Sequence, residues 1–148
     1  MKRLLERTFA VEAAAERAWA ELLAAEQWPR WARHLRSVQV TPPGPVGPAS
    51  SATLKLTNHT TATMKVTEFQ DERRFRWEGA LLWLGLGYDH LVTTEETGRV
   101  TITFTVDAAG LGVKLIGPLF AGVYARNLDR AIPRLQALLR APDQARPT

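Results

Sequence analysis

Residues 100–108, VTITFTVDA, alternate strictly, with Val100, Ile102, Phe104 and Val106 on one side and Thr101, Thr103 and Thr105 on the other. A period of two is the signature of a strand with one apolar and one wet face. Strands of this kind pair antiparallel, with a single face turned to a core. The pattern recurs along the chain. It runs through 2–13 (Leu5, Phe9 and Val11), 36–40 (Val38 and Val40), 51–59 (Ala52, Leu54 and Leu56), 61–69 (Ala62, Met64 and Val66), 74–79 (Phe75 and Trp77 against Arg74, Arg76 and Glu78) and 88–96. Residues 70–73 and Thr97-Gly98 are turns between them, and the Pro/Gly-rich 41–50 is a loop. Gly85-Leu86-Gly87 and Gly110-Leu111-Gly112 also read as turns. Asn58 continues the inward register of Leu54 and Leu56.

Two stretches break the alternation. Residues 13–28 place Trp19, Leu22 and Leu23 at helical spacing, and Pro29 ends that helix at Trp28. Pro is well placed to open a following short helix over 29–35. Residues 111–140 read as a long helix with Leu128, Ile132, Leu135 and Leu139 on one stripe, kinked or divided at Pro118 and Pro133. A sheet with one apolar face needs a cover, and the long helix is its candidate. The fold expected is α+β: a curved antiparallel sheet of about six to seven strands wrapped around a long C-terminal helix, with one or two short helices after the first strand. Residues 1–141 form one domain in this reading, and 142–148 a frayed tail.

Composition narrows the function. The chain has no Cys, which excludes disulfides, thiol nucleophiles and thiolate metal sites. Its 148 residues carry a formal net charge of +4 with acidic residues interleaved, so no basic block points to nucleic acid. No window approaches the roughly 18 apolar residues that span a bilayer. Glu6, Arg7, Glu12 and Glu16 interrupt any signal-peptide stretch, so a cytoplasmic protein is expected. His34, His59 and His90 lack ligand spacing, so no metal is expected. The serines Ser37, Ser50 and Ser51 sit in no nucleophile elbow. The Gly-x-Gly pairs lack a strand–loop–helix context, and no cofactor is expected.

Several segments together resemble a known group of proteins. They are Ala18-Trp19 in the helix opening FAVEAAAERAWAELL, WPRW at 28–31, TEFQDERRFRWEG at 67–79, YDHLVTTEETGRVTITFTVDAAG at 88–110, and the closing helix. In this order they resemble the START/Bet v 1-like (SRPBCC) superfamily with its helix-grip fold, and within it the polyketide cyclase/dehydrase-like branch. The resemblance covers nearly the whole chain. It implies a hydrophobic cavity between sheet and long helix that takes lipids, polyketides, quinones or similar small molecules. Some members catalyse cyclisation or dehydration, and no single catalytic set carries over.

The residues expected to contact a ligand in that cavity are Trp31, Leu54, Leu56, Met64, Trp77, Tyr88, His90, Phe104, Phe120 and Tyr124. Trp19 is expected in the core, and Trp28 and Trp31 at one end of the fold. Tyr88 and His90 share a strand face, while Asp89 points the other way. His90 or Tyr88 is therefore the candidate for proton transfer if the protein is a cyclase or dehydratase, without an Asp89–His90 dyad. The leading expectation is a binder of a hydrophobic or amphipathic small molecule rather than an enzyme. A third reading is an interaction module that meets a protein or membrane through the apolar segment 81–87, with Trp83 at its centre.

Overall fold

The computed structural model describes residues 1–81 and 84–141. The elements run β1 (Lys2–Val11), α1 (Ala15–Leu23), a 3-10 turn (Ala25–Arg30), β2 (Leu35–Thr41), β3 (Ser51–Leu56), β4 (Thr61–Gln70), β5 (Arg74–Leu81), β6 (Leu84–Thr94), β7 (Val100–Ala109) and α2 (Val113–Arg140). All seven strands form one antiparallel sheet in the order β1-β7-β6-β5-β4-β3-β2. The fold class is the expected one. The chain passes from the β1 edge to the β2 edge through α1 and the 3-10 turn, which close one end, and α2 covers the apolar face.

The alternation sorts the faces. Met64, Phe75, Trp77, Val92, Ile102, Phe104 and Val106 are buried on the inner face. They pack with Trp19, Leu22 and Trp28 from the α1 corner and with Leu128, Ala131, Leu135 and Leu139 from the second half of α2. Trp19 is core, and its indole N–H donates to Asp71 at 3.1 Å.

The outer face carries a network centred on Arg76. Its guanidinium donates to Asp89, Asp107 and Glu78, each at 2.8 Å. Arg74 adds two bonds to Asp89, and Arg3 one to Asp107. Alternation marks Arg76 as a solvent-facing residue, yet these partners bury it. Burial works against the charge on Asp89 and on Asp107, but Arg74 and Arg76 on the first, and Arg3 and Arg76 on the second, outweigh it and hold both carboxyls below the ordinary range.

Five sequence readings are corrected. The helix expected over 13–28 ends at Leu23. Pro29 disfavours the α conformation at Trp28, and the chain tightens into a 3-10 turn that returns the Trp28 indole N–H to the Leu22 carbonyl at 3.2 Å. That turn holds Pro29 in its interior, so no separate helix forms over 29–35. Gly85-Leu86-Gly87 is strand, not turn: Leu86 is buried, and a Cβ at 87 would overlap the Arg76 guanidinium lying across it. Asn58 is exposed in the turn after β3, where its side-chain oxygen accepts from the Thr60 backbone N–H and hydroxyl. Finally, α2 is undivided across Pro118 and Pro133. Both prolines are exposed, and a helix continues past a proline where solvent can reach the carbonyl that loses its partner. The expected tail at 142–148 and Trp83 lie outside the described residues.

Candidate functional site

A cavity of about 80 Å³ lies between the inner sheet face, the 3-10 corner and the first half of α2. On its wall stand Leu54, Leu56, Met64, Trp77, Tyr88, His90 and Phe104 from the strands, Trp31 from the corner, and Phe120 and Tyr124 from the helix. The reason is register. Strand residues two apart point the same way, and Phe120 and Tyr124 are one helical turn apart. Trp28, Ala32, His34, Leu35, Leu81 and Leu128 complete much of the wall. Nothing in the periodicity marks His34, because it falls in the short connection between the 3-10 turn and β2, where neither strand nor helix spacing applies.

His90 is enclosed by rings. It stacks on Phe75 at 4.2 Å and lies 5.2 Å from Trp28, 5.7 Å from Phe104 and 5.8 Å from Trp77, centroid to centroid. Its Nδ1 is 3.3 Å from the Phe75 carbonyl. A carbonyl only accepts, so this contact assigns the proton of the neutral ring to Nδ1 and leaves Nε2 as its lone-pair side. Nε2 has no partner among the described residues. Burial pulls the imidazole down to about 4, with the Phe75 carbonyl and the Asp89 charge opposing the drop. At neutral pH His90 is an uncharged hydrogen-bond acceptor facing an apolar space.

The helix side is aromatic. Phe120 stacks on Tyr124 at 5.6 Å, and Tyr124 lies 5.4 Å from Tyr88 and 5.8 Å from His34. Burial pushes both tyrosine hydroxyls above the ordinary tyrosine range, so both stay protonated at neutral pH. Trp31 lies parallel to Phe104 with centroids 6.2 Å apart. Its Nε1 and the Thr105 hydroxyl are fully enclosed and, like His90 Nε2, lack a partner among the described residues. The cavity therefore offers an apolar aromatic wall, one acceptor at His90 and the phenol pair of Tyr88 and Tyr124, whose hydroxyls interact with each other. Asp89 points to the other face and is held by Arg74 and Arg76, so it orients no proton on His90.

The described part of segment 81–87 spends its apolarity inside. Leu84 and Leu86 are buried with Ala108 under Val113, Ile116 and Phe120 of α2. Exposed apolar side chains lie instead at Leu111, in the turn before that helix, and at Leu115 and Leu119 on it, which are 98%, 84% and 70% exposed. No cluster of potential metal-ligating residues occurs among the described residues. No described helix is long and apolar enough to cross a membrane.

A curved sheet gripping one long helix over an apolar cavity defines a START-like, helix-grip protein. The chain belongs to the family described as polyketide cyclase / dehydrase and lipid transport, whose model matches residues 3–140. Solved structures with the same fold include the protein XoxI from Bacillus cereus (12% identity, 94% of this chain and 96% of that one, TM-score 0.72). A START superfamily protein from Mycobacterium smegmatis matches at 11% identity over 91% and 95% of the two chains, TM-score 0.70. The major latex-like protein 151 of Panax ginseng matches at 12% identity over 93% and 97%, TM-score 0.72. Among curated proteins, none matches.

Proposed function

We propose that this protein binds a small hydrophobic or amphipathic molecule, and that Trp31, Leu54, Leu56, Met64, Trp77, Tyr88, His90, Phe104, Phe120 and Tyr124 contact it. The observation that carries this reading is the aromatic-walled cavity with an unspent acceptor at His90. Apolar burial supplies most of the affinity in such a site, and a few polar groups fix orientation. The family's description as including lipid transport supports the same class of ligand. Size narrows it. A volume of about 80 Å³ is far below the roughly 300–1,000 Å³ of pockets for drug-sized ligands. In this conformation the occupant is a single ring or a short chain, and a larger one requires the first half of α2 to yield.

The cyclase or dehydratase reading has one observation in its favour: His90 and Tyr88 face the same enclosed space. Their protonation weighs against it. A base drawn down to about 4 is weak at neutral pH, and efficient proton transfer wants a value near the working pH. Hydrogen bonding to a ligand oxygen demands only the neutral ring that burial enforces.

Native mass spectrometry of protein purified gently from its host tests the proposal. A discrete additional mass is expected. An unliganded mass that no member of a panel of lipids, quinones and aromatic polyketides shifts would overturn it. If a reaction is found on the bound compound and His90→Ala abolishes it while binding survives, the enzyme reading replaces the binding one.

A further inference from the structure

His34 belongs to two walls at once. One side of it lines the apolar cavity, against Tyr124. It also borders a surface cleft of about 260 Å³ formed with Arg33, Thr57, Asn127, Arg130 and Arg134. Three separate parts of the chain build that cleft: the connection into β2, the turn after β3, and the middle of α2. On α2, Asn127, Arg130 and Arg134 recur at i, i+3 and i+7 and share one face.

The charge in this cleft is unbalanced. Arg3, Arg7, Arg30, Arg74, Arg76 and Arg140 each have a carboxylate partner. Arg33, Arg130 and Arg134 have none among the described residues; the same is true of Arg17, Arg36, Arg73, Arg99 and Arg126, but these three are gathered in one cleft. The acidic residue nearest them in the helix, Asp129, turns away and pairs with Arg7 at 2.9 Å. Like charges gathered without a counter-charge repel one another, and a bound anion relieves that repulsion. Arginine suits the task, since its planar fork matches the two oxygens of a carboxylate or phosphate.

We infer that this cleft seats the oxyanion head group, carboxylate or phosphate, of an amphipathic ligand whose apolar part enters the cavity past His34. The inference rests on the binding function proposed above and adds the head-group chemistry to it. It also accommodates the small cavity, because the head and its hydration stay outside in the larger cleft and only the tail is enclosed.

Isothermal titration of the whole protein with decanoate, decyl phosphate, decanol and inorganic phosphate tests it. At least one of the two anionic chains is expected to bind about tenfold tighter than decanol. Whichever does so names the head group. In Arg130→Gln/Arg134→Gln that advantage falls to within about twofold, while decanol binds as before. Lys114→Gln/Arg126→Gln removes the same charge from exposed positions of the same helix and retains the advantage. Decanol binding as tightly as both anions overturns the inference and leaves the cavity function standing. So does an advantage that survives in the first variant or disappears in the second. Inorganic phosphate binding as tightly as decyl phosphate overturns it too, since the cleft would then act apart from the cavity. If no chain-bearing compound binds, the inference is overturned, and the panel of lipids, quinones and aromatic polyketides decides whether the cavity function stands.

Discussion

His90 lies flat against Phe75, with ring centroids 4.2 Å apart, planes 11° apart, and Nδ1 3.3 Å from the Phe75 carbonyl. The fold thus holds an imidazole neutral inside an aromatic cage, and this has a pH consequence of definite sign. In the unfolded chain the ring takes a proton near 6.5, and in the folded chain only near 4. Between those values the unfolded state binds more protons, so stability falls as pH drops from 6.5 toward 4 and levels off below. The displacement corresponds to roughly 3 kcal/mol at full expression, or about 1.4 kcal/mol per pH unit within the window. His34, also drawn to about 4 by burial, acts in the same direction. Asp89 and Asp107, held below the ordinary 3.8, contribute stability that is lost only at lower pH, as they protonate. Urea unfolding at pH 7, 6 and 5 measures the slope, and His90→Gln is expected to reduce it by about one proton. An identical slope in the variant would mean that His90 charges within the fold.

The second prediction concerns Trp31, which is buried with its indole N–H unpaired. An unmet buried donor costs about 1–3 kcal/mol. Trp31→Phe removes that donor and retains a ring to stack on Phe104. The loss of indole volume and the relief of the orphan group oppose each other, so the variant is expected to unfold within about 1 kcal/mol of the parent. Trp28→Phe is the contrast, because the Trp28 N–H is already satisfied by Leu22. It loses both volume and a hydrogen bond, and thermal unfolding of the two variants should rank Trp28→Phe as the less stable. The reverse order would show that the Trp31 N–H has a partner in solution.

The third prediction couples Arg76 to Gly87 across the outer sheet face. A methyl group at 87 would displace the guanidinium from Asp89 and Asp107. Arg76→Leu leaves both carboxylates buried, although Arg74 and Arg3 still reach them, so a cost of about 3 kcal/mol is expected, at the low end for a broken buried ion pair. Gly87→Ala costs about 1–3 kcal/mol for overpacking in the parent. In the Arg76→Leu background the flat guanidinium is gone, and the cost of Gly87→Ala should largely vanish. A double-mutant cycle by denaturant unfolding measures this coupling, and simple additivity would reject it.

These cases divide what was readable in the sequence from what was not. Alternation assigns the inner face residue by residue, which is why Leu54, Met64, Trp77, Tyr88, His90 and Phe104 are legible as cavity wall. It reports only side, however, and not what else occupies that side. Arg76 therefore looks like a solvent-facing residue when Glu78 of its own strand and Asp89 and Asp107 of β6 and β7 bury it. Gly87 looks like a turn when it is the floor beneath that arginine. Trp28 joins the wall from a 3-10 turn whose tightness depends on Pro29 and on tertiary packing, and His34 joins it from the connection after that turn. The cleft of Arg33, Arg130 and Arg134 draws on residues about a hundred positions apart, and no local pattern brings them together. Local periodicity thus describes the sheet well and the polar chemistry around it poorly.

The last prediction separates the two halves of α2. In the second half Leu128, Ala131, Leu135 and Leu139 are buried in the main core, while in the first half Gly117 alone is fully buried. Leu135→Ala should therefore cost about 2–5 kcal/mol, the range for a buried leucine leaving a cavity. Leu115→Ser/Leu119→Ser replaces side chains that are 84% and 70% exposed. It should change stability by no more than about 0.5 kcal/mol per site. The same asymmetry predicts where the fold opens. Amide hydrogen exchange is expected to be fast over 113–127 and slow over 128–139, because local opening follows the density of buried apolar contacts. Phe120 and Tyr124 lie in the faster half, so the helical turns that close the cavity are those held least firmly. Uniform protection along α2 would reject this account, and with it the route by which a ligand larger than the closed cavity gains access.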